Sequence, residues 1–310
     1  MMFNELENLP SLVLSSRHDL YRYHYPGTEV KMGNIPVQQN ILLRLVHFTP
    51  SGETAFPPVL FVPGLASVMD NFRETLQEMT RFFPVYYLET REKSTSIITG
   101  KAGFSVNDLV TDVCESIRQL NFKAGEYILM GYSLGATAIL ESIDRIPASP
   151  AAAILAEPNA SFPFPGWLLF LARFARLIYL PVKPFLKWYL RKFRIDMKND
   201  SELYNMNCRI LDSADPARLA AAVRSIASYR FSPVNRNELP PTLVIGASKD
   251  KFHSYDHSMH IAYILSGSRY LDLETNKKTH GPEIVHALMD FLKNTGHIEM
   301  VPETQQNISW

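Results

Sequence analysis

Short apolar runs alternate with amphipathic segments along most of the chain. Three of these runs are Pro58–Val62, Pro84–Leu88 and Ala151–Ala156, and the segments between them have the mixed character of surface helices. Continuous apolar runs of this length are typical of strands that are buried on both faces. Strands that alternate with helices predict the α/β class, with a mainly parallel sheet covered by helices on both faces.

Further strands and helices are predicted before, between and after these runs. The runs His18–Tyr25 and Ile41–Phe48 alternate in character and are separated by a connection with Gly and Pro, which predicts an antiparallel edge. Ser105–Leu120 predicts a helix, because Ser105 and Asp108 form a variant of the capping box. The other predicted elements are a helix around Asn71 to Phe82, strands Thr242–Ile245 and Arg269–Leu273, and a last helix Pro282–Lys293.

The alternation stops in the middle of the chain. From about Ser161 to Phe231 there is no clear strand pattern, and several helical segments are separated by prolines. We therefore predict a core formed by residues 1–160 and 236–310, with a helical cap inserted at residues 161–235.

Composition narrows the classes of function only slightly. The 310 residues carry 31 Lys and Arg and 31 Asp and Glu, so the formal net charge is zero and nothing indicates a nucleic-acid partner. Cys114 and Cys208 are the only cysteines, which favours a reducing compartment over a secreted disulfide scaffold. The first residues lack the basic and apolar regions of a signal peptide, so the expected location is cytoplasmic.

A candidate nucleophile lies at the centre of the pattern. The run Glu126–Met130 predicts a strand, Gly131-Tyr-Ser133-Leu-Gly135 follows it, and the next residues predict a helix. A sharp strand-to-helix turn of this kind exposes a serine in a strained backbone conformation, and its glycines let strand and helix approach closely. Ser133 is therefore the predicted nucleophile.

A serine nucleophile needs a base and a group that orients the base. Asp250 follows the strand Thr242–Ile245 and His280 follows the strand Arg269–Leu273, so Ser133, Asp250 and His280 fall after three strands in the order nucleophile, acid, base. Glu157, at the end of Ala151–Ala156, and Asp256 are alternative acids. Two backbone N–H groups must also face the developing oxyanion, and we predict those of Leu65 and Leu134.

With these residues in place, the chain resembles the α/β-hydrolase superfamily from about residue 40 to residue 295, and most of all its capped esterase, lipase and lysophospholipase-type members. Pro63-Gly-Leu65 takes the place of the family's His-Gly-x segment. Glu89-Thr-Arg91-Glu-Lys-Ser94 takes the place of its Asp-x-Arg-Gly-x-Gly-x-Ser segment. The chain departs from the family at Pro63, which replaces histidine, and after Arg91, where the glycines are missing.

The cap sequence bears on the substrate. It is rich in aromatic residues, among which Trp167, Phe170 and Phe174 are candidate substrate contacts, and it ends in a basic stretch. One interpretation is a cap whose aromatic face packs on the core. The other is a lid that lines an acyl pocket, or that contacts an anionic membrane surface through its basic flank.

No cofactor and no metal are expected. His253, His257 and His260 share a helical face, but a solvated or half-buried helix face accounts for them better than a metal site. The predicted function is a serine hydrolase that cleaves a carboxylic ester or thioester with an apolar acyl group, so that the partner is a small ester or lipid-like molecule. Acyl transfer by the same triad, or binding of an apolar ligand without catalysis, are the alternatives.

Overall fold

The computed structural model describes residues 17–52, 54–194, 204, 208, 211, 215–232, 239–250 and 255–295. A single mixed sheet runs through this part of the chain in the order β1-β2-β4-β3-β6-β7-β8-β9, with β5 paired to β2. In the part of the sheet ordered β4-β3-β6-β7-β8-β9, all neighbouring strands are parallel. Strand β2 is antiparallel to its three partners, β1, β4 and β5. The strands are β1 Glu29–Gln38, β2 Ile41–Thr49, β3 Val59–Val62, β4 Val85–Leu88, β5 Ile97–Ile98, β6 Ile128–Tyr132, β7 Ala152–Ala156, β8 Thr242–Gly246 and β9 Arg269–Asp272.

Helices follow most of the parallel strands. The α-helices are α1 Arg73–Met79, α2 Val106–Gln119, α3 Leu134–Ser142, α4 Gly166–Ala172, α5 Ala175–Tyr189, α6 Pro216–Ile226, α7 Tyr255–Ile264, α8 Asn276–Thr279 and α9 Glu283–Asn294. Two short 3-10 helices, Arg17–Tyr23 and Met69–Phe72, and a π-helical turn, Leu190–Arg194, complete the described elements. None of the described helices combines the length and the apolar character that a bilayer crossing requires.

The core has two layers, one on each face of the sheet. Strands β3, β6, β7 and β8 are buried at every position, as the continuous apolar runs predict. Neighbouring residues of a strand contribute to opposite layers: Leu60 packs with α2 and α3, and Phe61 packs with α1 and α9. The prediction of an α/β fold with a mainly parallel, doubly covered sheet is confirmed.

The predicted N-terminal edge is partly wrong. Residues Arg17–Tyr23 form a 3-10 helix. The partner of β2 is β1, Glu29–Gln38, which lies within the segment interpreted as a connection. Pro36 lies in β1 opposite Leu42, and proline is tolerated there because β1 is an edge strand whose outer side needs no donor. The helix predicted from Ser105 is confirmed: Ser105 and Asp108 cap α2 reciprocally.

The segment between β7 and β8 leaves and rejoins the core at one place. Ser161 forms an isolated antiparallel bridge with Arg230, and the Phe231 N–H donates to the Ala160 carbonyl at 2.7 Å. Helices α4, α5 and α6 lie between these two points. Arg218 of α6 ties this segment to the loop after β4, because its guanidinium donates to the carbonyls of Lys93 and Ser96 at 2.8 and 2.7 Å.

Candidate active site

Ser133 occupies the strained turn that the sequence predicts. It stands between β6 and α3 with φ 49° and ψ −114°, a backbone conformation that side-chain-bearing residues rarely adopt. Its N–H donates to the Ala156 carbonyl at 2.8 Å, and its own carbonyl accepts from the Thr137 N–H at 2.9 Å. The backbone on both sides of Ser133 is therefore fixed by hydrogen bonds to β7 and to α3.

The glycines around Ser133 are required by close approach. A Cβ on Gly135 would lie 2.2 Å from the Val62 carbonyl oxygen, and a Cβ on Gly131 would lie 2.7 Å from the Ala136 nitrogen. A Cβ on Gly64 would lie 3.3 Å from the Ser133 Cβ, so the loop after β3 runs directly beside the candidate nucleophile. Strand, turn and helix can meet here only because these side chains are absent.

Asn159 contacts the Ser133 hydroxyl and was not singled out by the sequence. Its side-chain amide donates to Ser133 Oγ at 3.1 Å and to the Glu157 carbonyl at 3.3 Å. Its backbone N–H donates to Thr137 Oγ1 at 3.0 Å, which anchors it to α3. The signal that could have found Asn159 is its place just after β7, the neighbour of β6, because carboxyl ends of adjacent parallel strands share one edge.

His280 lies at the end of α8, against aromatic side chains of the core. Its ring stacks on Phe72, with ring centroids 5.3 Å apart and an angle of 16° between the planes, and contacts Tyr132 at 5.1 Å. The Tyr132 hydroxyl donates to the Thr279 carbonyl at 2.9 Å. Since Tyr132 directly precedes Ser133, these contacts bring the candidate base to the same end of β6 as the candidate nucleophile.

The contacts of the His280 ring define its tautomer. Nδ1 lies 3.0 Å from the Asn276 carbonyl oxygen and 3.1 Å from Thr279 Oγ1. A carbonyl oxygen can only accept a hydrogen bond, so Nδ1 carries the proton in this arrangement. In the neutral ring, Nε2 then carries the lone pair that a general base uses.

Two of the three candidate acids reach the segment that carries His280. Asp250 accepts from the Asn276 side-chain amide at 3.4 Å, and Asn276 provides the carbonyl that faces Nδ1. Glu157 is 1% exposed, with φ 52°, and accepts from Thr279 Oγ1 at 3.2 Å. Asp256 is exposed in the first turn of α7. Asp250 and Glu157 thus both approach the imidazole, each through one neighbouring residue.

The turn after β3 presents a backbone donor. Ala66 has φ 55°, and its N–H donates to the Glu92 carboxylate at 2.8 Å, while the Ser67 N–H donates to the Gly64 carbonyl at 3.2 Å. Within the described part of the chain, the Leu65 N–H makes no hydrogen bond. Among the described residues the Leu134 N–H also makes no hydrogen bond, because it belongs to the first turn of α3 and has no intrahelical acceptor.

Glu92 and Lys93 bind the backbone of the turn after β3. Glu92 is 2% exposed, and its carboxylate accepts from the Thr90 hydroxyl at 2.7 Å as well as from Ala66. The Lys93 ammonium donates to the Ser67 carbonyl, and burial lowers the pKa of Lys93. Glu92 stands where the family has the first glycine after arginine, so the missing glycine is replaced by a side chain that binds the turn.

Arg91 fixes the loop that carries Glu92 to α2. Its guanidinium is fully buried and donates to both Asp112 carboxylate oxygens, at 2.7 and 2.5 Å, and to the Gly103 and Asp108 carbonyls. Bidentate pairing of this kind positions the arginine strongly, because two parallel hydrogen bonds fix the planes of both groups. The loop after β4 is therefore held without the glycines of the family segment.

The three cap residues predicted to contact substrate are largely exposed. The exposed fractions are 39% for Trp167, 57% for Phe170 and 47% for Phe174. Phe174 lines a cavity of about 750 Å³ between α4, α6 and residues 98–104, and Ser133 and His280 are not among its lining residues.

The histidine helix offers no set of metal ligands in the described part of the chain. His257 and His260 lie on α7, and His253 falls outside the described residues. Among the described residues, no group of three or more His, Cys, Asp or Glu side chains could hold a metal ion.

The chain belongs to the alpha/beta hydrolase family, whose family model matches residues 59–305. No curated protein matches it. Many solved structures are similar. One is a hydrolase from Pseudomonas aeruginosa PA01, with 17% identity and a TM-score of 0.66 over 84% of this chain and 98% of that one. Another is a thermophilic esterase from Thermogutta terrifontis, with 19% identity and a TM-score of 0.67 over 85% of this chain and 98% of that one. An enol-lactonase from Burkholderia xenovorans LB400 is similar to the same degree (18%, 0.66, 81% and 97%). At these identities the likeness shows the fold alone.

Proposed function

We propose that this hydrolase cleaves a carboxylic ester or thioester with an apolar acyl group, using Ser133 as the nucleophile. The observation that carries the proposal is the backbone of Ser133, held at φ 49° between a buried strand and a helix. Strain of this kind persists only where the surrounding structure enforces it, and it clusters at functional sites. A turn without chemistry would gain nothing from a serine in that conformation.

In the proposed reaction, His280 Nε2 takes the proton of the Ser133 hydroxyl as its oxygen attacks the carbonyl carbon. The Leu65 and Leu134 N–H groups donate to the oxyanion of the tetrahedral intermediate. Collapse of the intermediate expels the alcohol or thiol, protonated by His280, and leaves an acyl-enzyme. His280 then removes a proton from water, whose oxygen attacks the acyl-enzyme. The imidazolium returns this proton to the Ser133 oxygen as the acyl–oxygen bond breaks and the acid is released.

Two further residues have proposed positioning roles. Asp250 stabilises the imidazolium that forms during each proton transfer, and it acts from the segment that Asn276 links to His280. Asn159 holds the Ser133 oxygen before attack through its 3.1 Å hydrogen bond. Both residues follow strands at the same edge of the sheet, where the fold places its reactive groups.

The substrate class is supported by the cap and by the similar structures. The segment between β7 and β8 supplies exposed aromatic side chains, among them Trp167, Phe170 and Phe174, and these suit an acyl chain better than a charged substrate. Two of the similar structures are named as an esterase and an enol-lactonase, and both kinds of substrate contain an acyl carbon–oxygen single bond. The proposal is therefore an acyl hydrolase with a preference for apolar acyl groups.

Covalent labelling tests the nucleophile. Wild-type protein should react with a fluorophosphonate at one serine, and Ser133→Ala should lose that label together with hydrolysis of short acyl esters. Ser149→Ala, at an exposed position far along the chain from the turn, is the matched control and should keep both. Labelling of folded Ser133→Ala protein at the wild-type rate would overturn the assignment. Absence of labelling in folded wild-type protein would favour a non-catalytic binding role instead.

A further inference from the structure

The cap exposes a concentrated set of aromatic side chains. In the described part of the chain ten large apolar side chains are exposed, and six of them lie in α4, α5 and the turns beside them: Trp167, Phe170, Phe174, Phe185, Trp188 and Phe193, at 39% to 59%. Single exposed apolar side chains are common on soluble proteins, but contiguous exposed patches mark interaction sites. The concentration therefore needs an explanation that packing on the core does not give.

Five aromatic rings of the cap form a closed circuit of contacts. Trp167 of α4 contacts Phe185 and Tyr189 of α5, with centroids 6.3 and 5.5 Å apart. Phe185 contacts Trp188 at 5.5 Å, Trp188 contacts Phe193 at 5.6 Å, and Phe193 contacts Tyr189 at 5.4 Å. We call these five residues the cap aromatic surface. It joins two helices and a π-helical turn, and four of its five members are exposed.

The charge of this region has one sign. Residues 158–195 contain seven Lys and Arg and no Asp, Glu or His, although the whole chain has a net charge of zero. Cations lie beside the rings: the Lys192 ammonium is 5.5 Å from the centroid of Trp188 and 5.8 Å from that of Phe193. Lys192 and Arg191 are themselves exposed. The surface therefore combines aromatic rings with exposed cations, in a segment whose sequence contains no acidic residue.

We propose that the cap aromatic surface binds the surface of an anionic phospholipid bilayer. Tryptophan and phenylalanine fit the boundary between headgroups and acyl chains, and lysine and arginine attract anionic headgroups. Helix α4 has seven residues and α5 has fifteen, with Pro181 and Pro184 inside, against the roughly 20 apolar residues that a spanning helix needs. The cap helices are thus suited to lie in the interface.

A second copy of the chain fits this surface poorly. In a two-fold dimer the same patch faces itself, so the exposed Arg191 and Lys192 of one copy would lie near the same cations of the other. An anionic lipid surface removes this repulsion and also accepts the rings. The proposal does not depend on the catalytic assignment, because the surface contains none of Ser133, Asp250 and His280.

Vesicle flotation tests the proposal with Ser133→Ala protein, which keeps the outcome independent of hydrolysis. The protein should float with vesicles of phosphatidylcholine containing phosphatidylserine and remain unbound with phosphatidylcholine alone. Phe185→Ala/Trp188→Ala should weaken binding at least tenfold. Arg191→Glu/Lys192→Glu should weaken it more strongly, since each cation near an anionic surface contributes about fivefold. Tyr263→Ala removes an 89% exposed aromatic side chain outside the cap and should change nothing.

Three results would overturn the proposal. Equal binding to neutral and anionic vesicles would show that charge plays no part. Equal loss of binding in Tyr263→Ala would show a non-specific effect of exposed aromatic residues. A concentration-dependent dimer in size-exclusion chromatography that Phe185→Ala/Trp188→Ala abolishes, with no vesicle binding by wild-type protein, would identify the surface as an interface between copies.

Discussion

The carboxyl edge of the sheet and the segment proposed as a cap differ in what they bury. At the sheet edge polar groups are buried and held by specific partners, as the Glu92 carboxylate and the Asn159 amide show. In the cap the rings of Phe185, Trp188 and Phe193 are exposed at 47% to 59%. The sheet edge depends on the position of individual atoms, whereas the cap depends on the summed apolar and positive character of its surface.

This difference sets the expected response to mutation. A buried polar group with a fixed partner is costly to remove, because the partner is left unsatisfied. An exposed ring or cation adds a small share to the total free energy of binding to a membrane surface, and no single residue is essential for that binding. Substitutions at the sheet edge should therefore change turnover steeply, and substitutions in the cap should change surface binding by degrees and leave hydrolysis of a soluble short ester nearly unchanged.

The largest effect is expected at Asp250, the acid proposed to support His280. Asp250→Asn should lower kcat by about three to four powers of ten, because the imidazolium loses its counter-charge while the volume of the side chain is kept. Glu157→Gln should lower kcat by less than about tenfold, since Glu157 contacts Thr279 and the Thr279 hydroxyl can still donate to an amide oxygen. Steady-state kinetics on a short soluble ester provides the measurement.

Asp256→Asn is the matched control for this pair, because Asp256 is the third candidate acid and is exposed on α7. It should retain the wild-type kcat. A loss in Glu157→Gln that exceeds the loss in Asp250→Asn would assign the acid to Glu157, acting through Thr279.

A smaller effect is expected at Glu92. Glu92→Ala should lower kcat about tenfold to a hundredfold with KM nearly unchanged, because the Ala66 N–H loses its acceptor and the turn no longer aims the Leu65 N–H. Glu92→Gln should restore most of the loss, since the amide oxygen can accept from the same N–H. Glu89→Gln changes a neighbouring buried carboxylate that accepts from Thr95, and it should leave kcat unchanged. Equal losses in all three variants would show damage to the loop as a whole.

The last expected effect is on stability in acid and not on turnover. His47 of β2 stacks on Tyr86 with centroids 4.0 Å apart, and burial lowers its pKa from 6.5 to about 4. Between these values the unfolded chain binds more protons than the native one, so the free energy of unfolding should decrease as the pH is lowered from about 6.5 to about 4, by about 3 kcal/mol at most. Urea unfolding of wild type and His47→Gln at several pH values measures this contribution. His260→Gln, at an exposed position on α7, is the control.

The cap should behave differently in acid. Residues 158–195, which include the cap aromatic surface, contain no Asp, Glu or His, so the charge of this part of the cap stays constant over the same range of pH. Binding to anionic vesicles should therefore stay level from pH 7 to pH 5 while stability declines. If vesicle binding and the free energy of unfolding fall together, binding does not depend on the cap surface independently of the core.

Features that depend on local spacing could be predicted from the sequence. The turn at Ser133 follows from a strand, two glycines and a helix in one segment, and the reciprocal cap at Ser105 follows from a spacing of three residues. The hydrogen bond from Asn159 to Ser133 and that from Ala66 to Glu92 join positions 26 residues apart, and no periodic pattern indicates them. At the N-terminus, Pro36 concealed an edge strand because proline is usually a sign of a connection.

Left-handed backbone conformations gather at one edge of the sheet. Ala66, Ser133, Glu157 and Glu274 follow β3, β6, β7 and β9, and they are four of the five described residues other than glycine with positive φ. Each conformation of this kind is unfavourable by roughly 1 to 3 kcal/mol, so the native state is less stable than the same sheet with relaxed turns would be. Selection for thermostability alone would relax these turns first and lose activity with them. Directed evolution of this protein should therefore look for stabilising changes on the opposite edge of the sheet and on the outer helix faces.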